Sequence, residues 1–194
     1  ETNPVSLIKR LQVKGFKKLY TPAKHEVEAV ISAAPDDWRR TMIMIAANTG
    51  LRTSEILALT WQAISGDVIK VEKSAVFGHV GKPKNKTSKR KVRIDSKLKL
   101  RLNTMRLAST GDFLFTNSNG NLYTGTDATR QVLDPAIKKA GVQSFGWHGL
   151  RRFYENELED QGMRKEHIQK LMGHQIGSQV TDRHYRVVKE EAVL

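Results

Sequence analysis

The chain has 194 residues, 39% of them hydrophobic and none cysteine, and its 33 Lys and Arg against 20 Asp and Glu give a formal net charge of +13. The length suits one domain with a proper core, while the missing cysteines exclude disulfides, thiolate nucleophiles and Cys-ligated zinc. No apolar run is long enough to span a bilayer, and the cationic excess favours a polyanionic partner, nucleic acid ahead of anionic lipid, because neutralised phosphates release condensed counterions.

Residues 1–20 are basic and contain Pro4 and Gly15, so they read as a linker or arm, with the folded domain over 21–194. The first residue is Glu1 rather than Met, as expected of a piece cut from a longer protein. A helix is predicted over 23–34 from Val27, Val30 and Ile31, with Thr21 as N-cap and Pro22 in its first position. A second covers about 37–48 and stops at Gly50, suited to a left-handed C-terminal cap. A third runs over about 53–59.

The periodicity then changes to two, predicting strands near 68–71 and 75–77 and another at 91–94. Between them lies 81–91, dense in lysine and arginine, which reads as a hairpin loop on a small antiparallel sheet. Helices follow at about 97–108, 126–140, 148–161, 165–172 and 179–190. The expected fold is mainly α with a small antiparallel β-sheet, an α+β domain.

Three blocks carry candidate chemistry. In TGLRTSEILALTW, Arg52 follows the Gly50 turn and opens a helix with an apolar face, so its forked guanidinium is set on packed elements and fits two phosphate oxygens; a helix-bracketing Arg explains it equally well. In GWHGLRRF, His148 and Arg151 stand three apart at a helix start, on one face and at an electropositive end that suits phosphate. A capping His and a surface Arg would produce the same spacing. In LMGHQIGSQVTDRHYRVV, His174 follows a glycine, and Tyr185 sits between His184 and Arg186. A phenol titrates ordinarily near 10, so as a nucleophile it needs cationic neighbours or a base. His25, His79 and His167 read as ordinary surface or capping residues.

Arg, Lys, His-x-x-Arg, His and Tyr in this order resemble the catalytic domain of the tyrosine recombinase (phage integrase) family. TGLRTSEILALTW is similar to its first-arginine motif, HGLRRF to its H-x-L-R-H motif, LMGH to its L-G-H motif, and Tyr185 to its terminal nucleophile. The resemblance covers about residues 21–190. It implies the fold of the DNA breaking-rejoining enzymes and a site-specific recombinase that cuts and rejoins duplex DNA through a 3′-phosphotyrosine, for integration or excision. It implies that Arg52 and Arg151 bind the scissile phosphate, that His148 assists proton movement, and that His174 hydrogen-bonds the phosphate. Its lysine, on a β-hairpin loop, falls in GKPKNKTSKRKVRI, where the pattern favours Lys84 with Lys86 as the alternative.

The resemblance further implies no metal and no cofactor, a tetramer on DNA, and a nucleoid-associated cytoplasmic location in a bacterial or phage-infected cell. On that pattern residues 1–20 connect to an N-terminal core-binding domain, and 186–194 form a tail that packs in cis or on the next protomer. Gly149 departs from the family's usual Asp and Arg152 from its usual His, and the His174–Tyr185 spacing is long. A type IB topoisomerase, a non-catalytic DNA-binding module and an RNA-binding protein are the other readings. Trapping of a covalent DNA adduct separates the recombinase from the last two, and site preference separates it from the topoisomerase.

Overall fold

The computed structural model describes residues 19–81 and 89–173. Helix α2 (Asp37–Thr49) is the central element. Its residues Thr41 to Ala47 are all buried, so the run is apolar all round, as expected of a helix enclosed on every side. Helices α1 (Lys24–Ala33), α4 (Ser96–Leu107) and α7 (Trp147–Asp160) pack on it, and α6 (Asp134–Ala140) packs on α1. The short α3 (Thr53–Leu57) and α8 (Lys165–Met172) meet near the ends of α2 and α7.

The joint between α1 and α2 is built from side chains. Asp36 caps α2 by accepting from Arg39 N at 3.0 Å. Arg40 donates to the Ile31 and Ala34 carbonyls at 3.2 and 3.1 Å, satisfying the C-terminal end of α1. At the other end of α2, Gly50 has φ +60 and its N–H bonds the Ala46 carbonyl, the left-handed cap expected there. A Cβ on Gly50 would lie 2.7 Å from Tyr154 Cδ1 and 2.9 Å from Met172 Sδ. Glycine is therefore required twice over, by dihedral angle and by space.

Three expectations need correction. Thr21 does not cap α1: the N-cap is Ala23, whose N–H is taken by the Glu26 carboxylate at 2.8 Å, while the Thr21 hydroxyl accepts from Arg152 Nε at 3.0 Å. The helix expected over 126–140 is continuous from 125 to 140 but not regular, running as α5 (Gly125–Ala128), a π turn (Thr129–Leu133) and α6. Pro135 is the cause, since it offers no N–H to Gln131 four residues back; the freed Gln131 carbonyl accepts from Arg39 Nε at 2.9 Å instead. Thirdly, the basic stretch does not simply join two strands of one sheet.

Strands β1 (Ile64–Ser65), β2 (Val68–Val71) and β5 (Arg90–Arg93) form an antiparallel sheet in the order β1-β2-β5. In its register Ile69 faces Val92, both buried, and Lys70 faces Lys91, both exposed. Between β2 and β5 the chain makes a separate two-stranded ribbon, β3 (Ser74–Val76) and β4 (His79–Gly81). Val76 pairs with His79, leaving a two-residue turn in which Phe77 and Gly78 have φ +50 and +80. That is the type I′ arrangement preferred by twisted hairpins. Asn-Gly is its favoured sequence, and a bulky residue in the left-handed region costs about 1–2 kcal/mol. Segment 82–88, which holds Lys84 and Lys86, lies outside the described residues, as do residues 1–18 of the linker expected over 1–20 and the helix expected at 179–190.

Candidate active site

Arg52 is the N-cap of α3. Its backbone N–H donates to Glu55 Oε2 at 2.8 Å and its Nη1 to Glu55 Oε1 at 3.0 Å, while Nη2 donates to the Gly173 carbonyl at 3.3 Å. The side chain stays 33% exposed. A carboxylate three residues into a helix that reaches back to the cap N–H is the usual way of closing an N-terminus. Here the same carboxylate also holds the guanidinium.

Arg151 comes from the first turns of α7, ninety-nine positions later in the chain. It is only 6% exposed and donates through Nη1 to the Gly50 carbonyl and through Nη2 to the Met172 carbonyl. The two arginines therefore hold adjacent carbonyls, Met172 and Gly173, at the left-handed end of α8, where Gly173 has φ +64. Gly50, Arg52, Arg151 and the LMG triplet of the third block are one assembly. The motifs meet in space as their order in the chain implied.

Two further residues complete the cluster. Glu55 is 2% exposed, and Arg90 at the start of β5, itself 6% exposed, donates to both of its oxygens at 3.0 and 2.9 Å. Burial alone would raise the Glu55 carboxyl, but the hydrogen bond and charge of Arg90, with help from Arg52, outweigh it and hold Glu55 below the usual carboxylate range. Among the described residues Arg52 and Arg90 bond Glu55, and Arg151 feels the charges of both arginines, opposed by those of Glu55 and Glu155. Burial, then the charges of Arg52 and Arg90, press Arg151 down to about 9. It remains protonated at neutral pH and would be relieved by an anion.

His148 is the second residue of α7 and is exposed at the surface. Desolvation by its partly packed surroundings, followed by the charges of Arg151, Arg152 and Arg52, lowers its pKa below the ordinary histidine value. The imidazole is therefore neutral at pH 7 and able to take a proton. The first turn of α7 has no acidic residue, so its N-terminal dipole adds to the positive field.

The two departures from the family pattern have local explanations. A Cβ on Gly149 would sit 3.1 Å from Phe145 Cβ and 3.2 Å from its Cδ2, so the folded-over Phe145 leaves room for glycine alone without adjustment. Arg152 points away from the cluster and ties the incoming chain to α7 through Thr21 Oγ1 and, at 2.6 Å, the Tyr20 carbonyl. Of the candidate residues, Arg52, Arg151 and His148 are brought to one place. Lys84, His174 and Tyr185 lie outside the described residues. Glu55 and Arg90 were not picked out beforehand. The three-residue spacing from Arg52 to Glu55 is a usable capping signal, and Arg90 falls on the arginine of the P-K-x-K-x-S-x-R-x-V pattern that the basic block resembles.

Among the described residues no three His, Asp or Glu side chains group as metal ligands, and no helix is long and apolar enough to cross a membrane. Residues 21–191 match the model of the phage integrase family. An integrase of Streptomyces ambofaciens is 30% identical over 188 residues, covering 83% of this chain, and the chain spans about half (47%) of that relative's length. The Tn1549 transposon integrase, solved in complex with circular intermediate DNA, superposes with a TM-score of 0.73 at 20% identity, over 93% of this chain and 69% of the other. The XerA recombinase gives 0.71 at 21% identity, over 93% and 66%.

Proposed function

The chain belongs to the phage integrase family, and from that membership we propose that it is the catalytic domain, over 21–194, of a tyrosine-type site-specific DNA recombinase. It cleaves and rejoins duplex DNA for integration or excision. The observation that carries this reading is the convergence of Arg52 and Arg151 on the adjacent carbonyls of Gly173 and Met172.

The Tyr185 oxygen attacks the scissile phosphorus, a phosphorus–oxygen bond to Tyr185 forms, and the bond to the 5′-oxygen breaks. The product is a 3′-phosphotyrosyl protein and a free 5′-hydroxyl. Lys84 delivers the proton to that departing oxygen, and neutral His148 receives the one released by the phenol. Arg52, Arg151 and His174 donate to the non-bridging oxygens, whose charge grows in the pentavalent state. Because the guanidinium groups are held before DNA arrives, little reorganisation is required as charge develops. A 5′-hydroxyl of another strand reverses the step without ATP. Full recombination joins four such subunits on DNA, in the nucleoid of a bacterial or phage-infected cell.

Incubation with a nicked duplex carrying the flanks of the source element tests this. The expected result is a denaturation-resistant protein–DNA adduct that Tyr185→Phe abolishes. An adduct of undiminished yield from Tyr185→Phe would eliminate the assignment, and plasmid relaxation with no site preference would replace it with a topoisomerase.

A further inference from the structure

Phe77 is 86% exposed at the tip of the β3–β4 ribbon, with Val76 and Val80 exposed beside it. Its backbone occupies the left-handed region, where asparagine or glycine would sit with less strain. Among the described residues nothing covers the ring, so their packing does not account for a phenylalanine there.

The surroundings point to one kind of partner. Lys70 and Lys91 stand directly opposite each other on the outward face of the β2–β5 pair, a like-charge pairing that is unfavourable until an anion joins it. Lys73 immediately precedes the ribbon, and Arg93 is exposed at the end of β5, where it pairs loosely with Asp67 at 3.8 Å; Glu72 and Asp67 are the acids beside these cations. Two copies of so cationic a surface repel each other, whereas a polyanion satisfies it. The ribbon also packs against α3, the helix whose N-cap is Arg52. Phe77 lies seven positions beyond Lys70, a reach of at most about 25 Å, which is within one turn of duplex (about 34–36 Å).

We propose that the β3–β4 ribbon is a DNA-contact element in its own right, with Phe77 entering a groove of the duplex as an apolar wedge while Lys70 and Lys91 engage phosphates. Apolar side chains at ribbon or helix tips grip DNA this way by contacting base edges and partly unstacking them. The inference rests on the reading of the chain as a DNA-binding recombinase domain.

The discriminating variant is Phe77→Asn, which creates the Asn-Gly turn preferred by the hairpin. It should melt no lower than the parent, yet bind a mixed-sequence duplex about fivefold or more weakly in fluorescence anisotropy, with an unchanged salt slope because no charge is lost. A photo-crosslinking benzoylphenylalanine at position 77 should attach to DNA. Equal affinity of Phe77→Asn, or crosslinking to a second copy of the chain or only to anionic vesicles, overturns the proposal. If the parent chain fails to bind duplex at all, the recombinase reading fails with it; if it binds and Phe77→Asn binds equally, only the ribbon's role is lost.

Discussion

Arg151 and Lys91 both carry a positive charge, yet Arg151 is buried and tied to the Gly50 and Met172 carbonyls, whereas Lys91 stands in solvent opposite Lys70. The first is a donor fixed in direction before any ligand arrives, as stabilisation of a transient charge requires. The second is a solvated charge whose contribution is grip, set by counterion release and weakened by salt. A net charge of +13 therefore says little about chemistry until one knows which cations the backbone holds.

That contrast can be broken from several sides. The largest expected effect on stability is that of Arg151→Ala, which strips two buried carbonyls of their donor at about 1–3 kcal/mol each; thermal unfolding should show it, and a melting point within a degree of the parent's would contradict the cluster described. Gly50→Ala follows. Its left-handed backbone costs about 1–2 kcal/mol, and the approach to Tyr154 and Met172 adds overpacking of about 1–3 kcal/mol. Cleavage should fall with it, since the Gly50 carbonyl locates Arg151.

A third prediction concerns pH. The His148 pKa is depressed, so the neutral form persists to lower pH than for an ordinary histidine, and it is lost as pH falls through that depressed value. The single-turnover cleavage rate should be level between about pH 7 and 8 and decline on the acid side only below the usual histidine range near 6.5. His148→Asn should remove that acid-side decline. An acid limb centred above pH 7 in the parent would contradict the geometry. The smallest effect is that of Lys91→Ala, expected to lower the salt slope of DNA binding by about one while the rate at saturating DNA is unchanged.

Much of this architecture was legible from residues alone, and the reasons differ by element. Helix α2 and its Gly50 cap were readable because both signals are local: an apolar run and a glycine where only a left-handed residue fits. Helix α8 was expected over the range observed, 165–172. The Thr21 cap was misread because its hydroxyl is taken by Arg152, a partner 131 residues away. The π turn was not legible because the Arg39 bond that takes up the Gln131 carbonyl freed by Pro135 comes from 92 residues away. Strand β3 was expected near 75–77, but its hairpin with β4 was not legible because Phe-Gly lacks the usual turn signature. In the site, motif order anticipated the meeting of Arg52 and Arg151. The roles of Glu55 and Arg90 depend on a bidentate contact between α3 and β5, which no local pattern encodes.

The central claim, that the held arginines act on the reacting phosphate rather than on DNA affinity, is tested most directly with Arg52→Ala. This side chain is partly exposed and caps a short helix, so the fold should survive its loss. Adduct formation and duplex affinity are measured on the same nicked DNA. The account predicts a rate lower by a hundredfold or more with affinity within a few fold of the parent. A parent-like rate once DNA is saturating would contradict it.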